Sequence, residues 1–209
     1  MTLLAVHISD GVLPPTWLVV GIVVASGLVA MGCYRLADDD VPRIASMTAA
    51  FFVASLIHVS LGPTSVHLLL NGLVGVVLSF RAGLAIAVGL TLQSLLIAHG
   101  GIYSLGVNTC IATVPALLAS LAFRGSRALA GGSLGAWCFP IGVALGSATA
   151  IATVALNASL LALALSEKIA AAVFIAHLPV VAVEGIVVGF AVTYLERVAP
   201  DYLSGSLRE

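Results

Sequence analysis

Residues 16–34 read TWLVVGIVVASGLVAMGCY, from Thr16 to Tyr34, without one charged side chain. About 20 such residues cross a hydrocarbon layer of roughly 30 Å as a helix. Six further apolar stretches follow, at approximately Arg43–Leu61, Ser65–Leu78, Ala82–Ala98, Leu105–Phe123, Ile141–Leu165 and Ala170–Leu195. Backbone groups in lipid must bond internally, so the pattern predicts helices and not open sheet. The third and fourth stretches are short and meet at Arg81, which leaves open a tight hairpin or a partly re-entrant piece.

The rest of the chain agrees. Of its 209 residues 61% are hydrophobic and 8% charged, with a mean hydropathy of +1.19. Soluble domains carry roughly 25% charged residues. The balance excludes a soluble enzyme, a nucleic-acid binder and a disordered chain. Eight Lys and Arg in total, at a net charge of −1, offer no patch for phosphate. Cys33, Cys110 and Cys138 lie far apart without a CxxC, so neither a disulfide framework nor a thiolate metal site is suggested.

The expected architecture is an all-α integral membrane protein of about seven transmembrane helices. Arg35, Arg43, Arg81, Arg124, Arg127, Arg197 and Arg208 all fall in odd-numbered connections or the tail, and only Lys168 in an even one. Cytoplasmic loops collect Lys and Arg, which places the amino terminus outside and the carboxyl terminus in the cytoplasm. Residues 1–15 lack the basic start of a signal peptide and are interrupted by Gly11, Pro14 and Pro15. The chain therefore divides into a leader (1–15), a helical bundle (16–198) and a cytoplasmic tail (199–209), one polytopic domain. The 21 glycines suit close approach of helices.

Polar residues within such a chain are costly, and each is a candidate for function. His7, His58, His67, His99 and His177 all fall on the outer side of the predicted topology. One reading is a preference of His for interfaces; the other is an outward site for a cation that favours imidazole. His67 is the foremost candidate. Pro63 ends one helix, Thr64 or Ser65 can cap the next, and a His in the first turn stays neutral against the helix dipole. Asn71, four residues on, is placed to orient its ring. His7 lies in the polar turn His7-Ile8-Ser9-Asp10-Gly11, short enough to fold back into the mouth of the bundle.

Glu184 is the acid set well inside a span, with His177 seven residues earlier on the same face. It can bond a ligand histidine, bind backbone across the bundle, or serve a partner interface. Asn108, Gln93 and Asn157 read as interhelical hydrogen-bond partners, Asn108 bordering the site. No Ser–His–acid set, paired carboxylates or Walker motif is present, so the chain is not expected to be an enzyme or to hydrolyse ATP itself.

Four blocks carry a family resemblance. His7-Ile8-Ser9-Asp10-Gly11 resembles the Met-His-Ile-Pro-Asp/Glu-Gly leader of the CbiM/NikM proteins, the substrate-capture subunits of energy-coupling-factor importers for cobalt and nickel. Gly62-Pro63-Thr64-Ser65-Val66-His67 is similar to their Gly-Gly-Thr-Ser/Thr-x-His stretch. The block from Gln93 through His99-Gly100-Gly101 to Leu105-Gly106-x-Asn108, and the block His177-Leu178-Pro179 with Glu184-Gly185, agree as well.

The resemblance implies a metal bound by a terminal amine, the next residue's backbone nitrogen and imidazole, and a second His. Carried over, these fall on Val6, His7 and His67, with Asn71, Asn108, His177 and Glu184 supporting them. Four planar nitrogens favour Ni(II) or Cu(II) over Co(II), whereas overall similarity leans to the cobalt branch. Met1–Ala5 departs from the pattern, because Val6 offers an amine only if translation begins there, at a GTG codon read as Met. Ser9 and Pro63 stand where the family often has Pro and Gly. His58 and His99 match no family ligand and line an access route or have no role. Also implied are a transmembrane scaffold subunit, cytoplasmic ATPase subunits, a small auxiliary membrane subunit, and the cytoplasmic membrane of a bacterium or archaeon. Co2+ or Ni2+ is then cargo, no bound redox cofactor is expected, and lipid, not nucleic acid, surrounds the chain. Two other readings compete: a bis-His haem redox subunit using His58 and His177, and the same kind of subunit carrying a vitamin.

Overall fold

Pro15 and Pro42 each open a helix at its first positions, where a missing N–H costs nothing. The computed structural model describes residues 4–5, 7–61 and 64–203. The Val6 amine, the Gly62-Pro63 turn and residues 204–209 lie outside the described residues. In chain order the elements are β1 (Leu4–Ala5), α1 (Pro15–Cys33), α2 (Val41–Leu56), β2 (His58–Leu61), β3 (Thr64–His67), α3 (Asn71–Leu78), α4 (Ala82–Ile97), α5 (Leu105–Leu129), α6 (Cys138–Ala164) and α7 (Glu167–Val198). Pro15–Cys33, Asn71–Ile97, Leu105–Leu129, Gly135–Ala164 and Glu167–Val198 are long and apolar enough to cross a membrane. Their outward faces are apolar too, with Val23, Leu95, Leu163 and Phe190 exposed. This is a multi-pass membrane protein.

Two of the expected stretches are corrected. The second helix stops at Leu56, and residues 58–61 and 64–67 form an antiparallel pair, joined by β1 in the order β1-β3-β2. The residues explain it: Val59 and Val66 favour extended backbone, and Gly62-Pro63 is turn chemistry between two four-residue runs. The backbone of β3 pairs on both sides, with β1 and with β2. The third stretch is helical only over α3, roughly 12 Å of rise.

Within Asn71–Ile97 the helix breaks at Ser79, φ 54°, and the chain reverses through Ser79–Arg81. Asn71 lies beside Ala112, Ser79 beside Arg124, and α4 then returns to the end where His99 meets His67. This is the hairpin that the short stretches around Arg81 left open. Every residue of α3 is buried, so α3 forms the axis of the bundle. A Cβ on its Gly75 would lie 2.0 Å from the Ala116 carbonyl oxygen of α5, which only glycine permits. The longest helices, α6 and α7, close against each other through Gly142 and Gly146 on one and Gly185 and Gly189 on the other.

The two ends of the bundle differ in chemistry. At one, Arg81 pairs with Asp40 and donates to the Arg35 carbonyl at 3.2 Å. Arg43 donates to the Tyr202 carbonyl, and Arg127 lies 4.0 Å from Glu196. At the other end the leader, the sheet and the α4–α5 loop converge, and the histidines are there.

Candidate metal centre

Strand register brings the first two histidines together. β1 pairs parallel with β3, Leu4 opposite Thr64 and Ala5 opposite Ser65. Two residues beyond Ala5 and Ser65 stand His7 and His67, whose ring centroids are 5.2 Å apart. The third arrives by a helix stop. Ala98 takes a left-handed conformation, φ 51°, and the Ala98 and His99 amides both donate to the Gln93 carbonyl. The chain turns back, and the His99 ring comes to 5.5 Å from His7 and 4.9 Å from His67. One ligand nitrogen from each ring lies within 4.8 Å of the others. His7 and His67 are buried and His99 half-buried.

The leader is bolted to the start of α5. Asn108 accepts from the Ile8 amide and donates to the Ile8 carbonyl, both at 2.9 Å. The Ser104 hydroxyl donates to the same carbonyl at 2.6 Å. The Asp10 carboxylate accepts from the Ile102 and Ser104 amides at 3.0 Å each, an anion at the positive end of a helix. Gly101 makes the fit possible, since a Cβ there would stand 1.9 Å from Asp10 Oδ1. Asn108 thus borders the site by holding the residue after His7.

The protonation state suits a metal. Burial, and then the nearby His67, His99 and His177 rings, push the His7 imidazolium well below its usual pKa, so the ring stays neutral. Among the described residues its Nε2 has no hydrogen-bond partner. His67 Nδ1 is 2.9 Å from the Leu68 carbonyl oxygen. A carbonyl only accepts, so Nδ1 carries a hydrogen and Nε2 is the ring nitrogen that can offer a lone pair to an ion. That corrects the expected cause: His67 ends a strand and sits in no helical turn, and a backbone carbonyl sets its tautomer.

Asn71 is corrected as well. It donates to the Ala112 carbonyl at 2.9 Å and to Thr153 Oγ1 at 2.8 Å, tying α3 to α5 and α6, and it does not orient the His67 ring. Of the three roles open to Glu184, the structure shows backbone binding. Its carboxylate accepts from the Leu69 amide and, at 2.9 and 3.1 Å, from the Leu70 amide. Leu70 is left-handed, φ 51°, so Glu184 secures the sharp exit from β3 just after His67. His177 is buried on the same helix, its Nδ1 2.7 Å from the Val173 carbonyl oxygen. The backbone of His58 pairs with that of His67.

Three imidazoles from the leader, β3 and the α4–α5 loop form a donor set for borderline divalent ions such as Co2+, Ni2+ and Zn2+. Metal–nitrogen bonds of about 2.0–2.1 Å hold two ligand nitrogens at most about 4.2 Å apart, so rings whose nitrogens lie within 4.8 Å close on an ion by a small movement. Residues 7–202 match the family model described as "CbiM: Cobalt uptake substrate-specific transmembrane region". The chain belongs to the CbiM family. Among relatives, a "Putative metal transport protein" of Haemophilus influenzae is 42% identical over 118 residues, 56% of this chain and 57% of that one. The "Cobalt transport protein CbiM" of Geobacter sulfurreducens is 31% identical over 215 aligned residues, 96% of this chain and 62% of its own length. The matches thus span less than two thirds of these two relatives. A solved structure titled "Crystal Structure of an transition metal transporter" superposes with a TM-score of 0.78 at 22% identity, over 92% of this chain and 93% of that one. It shares the fold.

For a CbiM-family chain, the residue that the sequence left unassigned is His99. It was visible beside Gly100-Gly101, a pair of small residues that lets a loop approach closely. A Cβ on Gly100 would lie 3.3 Å from the His7 Cβ. That signal marks a loop pressed against the leader, but only the turn at Ala98 decides which way His99 points.

Proposed function

We propose that this chain is the substrate-capture membrane subunit of an ATP-driven energy-coupling-factor importer for Co2+ or Ni2+. The observation that carries the reading is the meeting of His7 and His67, two buried imidazoles 60 residues apart in sequence, at the end of the bundle away from the arginines. Under the positive-inside rule the arginine end faces the cytoplasm, the amino terminus lies outside, and about seven segments cross. His7 and His67 hold the ion, and in a chain that starts at residue 6 the terminal amine joins them. Asn108 fixes the leader, and Glu184 fixes the strand exit beside His67. A transmembrane scaffold subunit and cytoplasmic ATPases supply the energy, because this chain has no nucleotide motif.

Calorimetry with Co2+ and Ni2+ on the purified 209-residue chain, and on a chain starting at residue 6 as Met, tests this. Binding of either ion at micromolar concentration or below by at least one form is expected. Binding by the shorter chain alone assigns the amine a ligand role, and no binding by either form overturns the reading.

A further inference from the structure

The resemblance assigns His99 no role, and the proposal above uses only His7 and His67. Yet the His99 ring is nearer to His67 than His7 is, 4.9 Å against 5.2 Å between centroids. Its nitrogen belongs to the set within 4.8 Å. The local structure is committed to this placement. The left-handed Ala98 reverses the chain, two amides on the Gln93 carbonyl hold the reversal, and the Asp10 carboxylate ties the following residues to the leader.

We propose that His99 is a third ligand to the transported ion, so that this chain captures it with three imidazoles and leaves the remaining positions to water. The inference rests on the metal-capture reading and narrows its substrate class. Three neutral nitrogen donors from separate segments impose no plane. They suit ions content with tetrahedral or higher, water-completed coordination, Co2+ and Zn2+, over an ion held by four planar nitrogens, as Ni2+ is in a terminal-amine chelate. Binding there needs no proton release from an amide.

Co2+ serves as both ligand and reporter. The 209-residue chain in lipid nanodiscs is titrated with Co2+ and followed by its visible d–d bands, alone and in competition with Ni2+ and Zn2+. His99→Ala is expected to weaken Co2+ at least about 100-fold, the upper range for loss of a group that merely supports a ligand, and to shift the d–d bands. Because that variant can fail by disturbing the loop, His99→Cys is the second. A thiolate at position 99 in contact with the ion adds a sulfur-to-cobalt charge-transfer band that no structural role produces. Co2+ bound by the parent chain with no such band in His99→Cys, and with the His99→Ala spectrum unchanged, overturns the third ligand and leaves metal capture standing. Absence of Co2+, Ni2+ and Zn2+ binding in the parent chain overturns both.

Discussion

The two ends of this bundle solve the problem of polar groups in an apolar chain in opposite ways. At the arginine end, Arg81 pairs with Asp40 and Arg127 faces Glu196, charge met by charge, while Arg43 donates to the Tyr202 carbonyl. At the histidine end, Asp10 is satisfied by the Ile102 and Ser104 amides, Glu184 by the Leu69 and Leu70 amides, and among the described residues neither carboxylate sits in an ion pair. Both acids there are held by backbone amides and not by the imidazoles. One end is built to be electrostatically closed, the other to remain short of one cation.

That contrast can be broken from either side. Removing His67, the ring within 5.2 Å of both others, is the strongest blow: His67→Ala should cost at least about 100-fold in Co2+ affinity with little change in melting temperature. Calorimetry and a thermal scan on the same sample check both halves. Glu184→Ala removes the carboxylate that holds the strand exit, and about 10–100-fold weaker binding is expected. Glu184→Gln, which keeps an acceptor, should restore part of it. A smaller effect, about tenfold at most, is expected of Asn108→Ala, because Ser104 still holds the Ile8 carbonyl. Faster hydrogen exchange at the Ile8 amide should accompany it.

The opposite end should respond in stability and not in binding. Asp40→Asn is expected to cost about 1 kcal/mol in a denaturant titration, the scale of a partly exposed pair, with Co2+ affinity unchanged. Slight burial pushes the Asp40 carboxyl up, but the Arg81 hydrogen bond and the Ala37 amide outweigh it and set it below its ordinary 3.8. Its contribution is therefore complete above that value and is lost as pH falls through the lower folded one. The stability-versus-pH curve of Asp40→Asn should be flatter in that acid window than that of the parent chain. A flatter curve at neutral pH instead would count against the pair.

The four long helices, α1, α5, α6 and α7, were legible because twenty apolar residues have few other options in lipid. Their observed bounds lie within six residues of the expected ones, the largest difference being the end of α5 at Leu129 in place of Phe123. The gathering of basic residues in alternate connections was legible for the same reason, as a count along the chain. What misled was the stretch from Ser65: continuous apolar character does not distinguish a short buried strand from a helix. His67 followed that error, as did the role expected of Asn71, since a four-residue spacing has meaning only on a helix.

From sequence alone came the membrane class, the two chemically distinct ends, and the candidacy of His7, His67, Asn108 and Glu184, because composition and rare polar residues are local properties. Tertiary structure decided the strand register that sets His7 level with His67, the reversal at Ala98 that brings in His99, and the backbone amides that take up Glu184. Each is a pairing across long sequence separation, from 32 residues between His67 and His99 to 115 between Leu69 and Glu184. Such pairings depend on which alternative the whole bundle can satisfy, and no window of the chain contains that information.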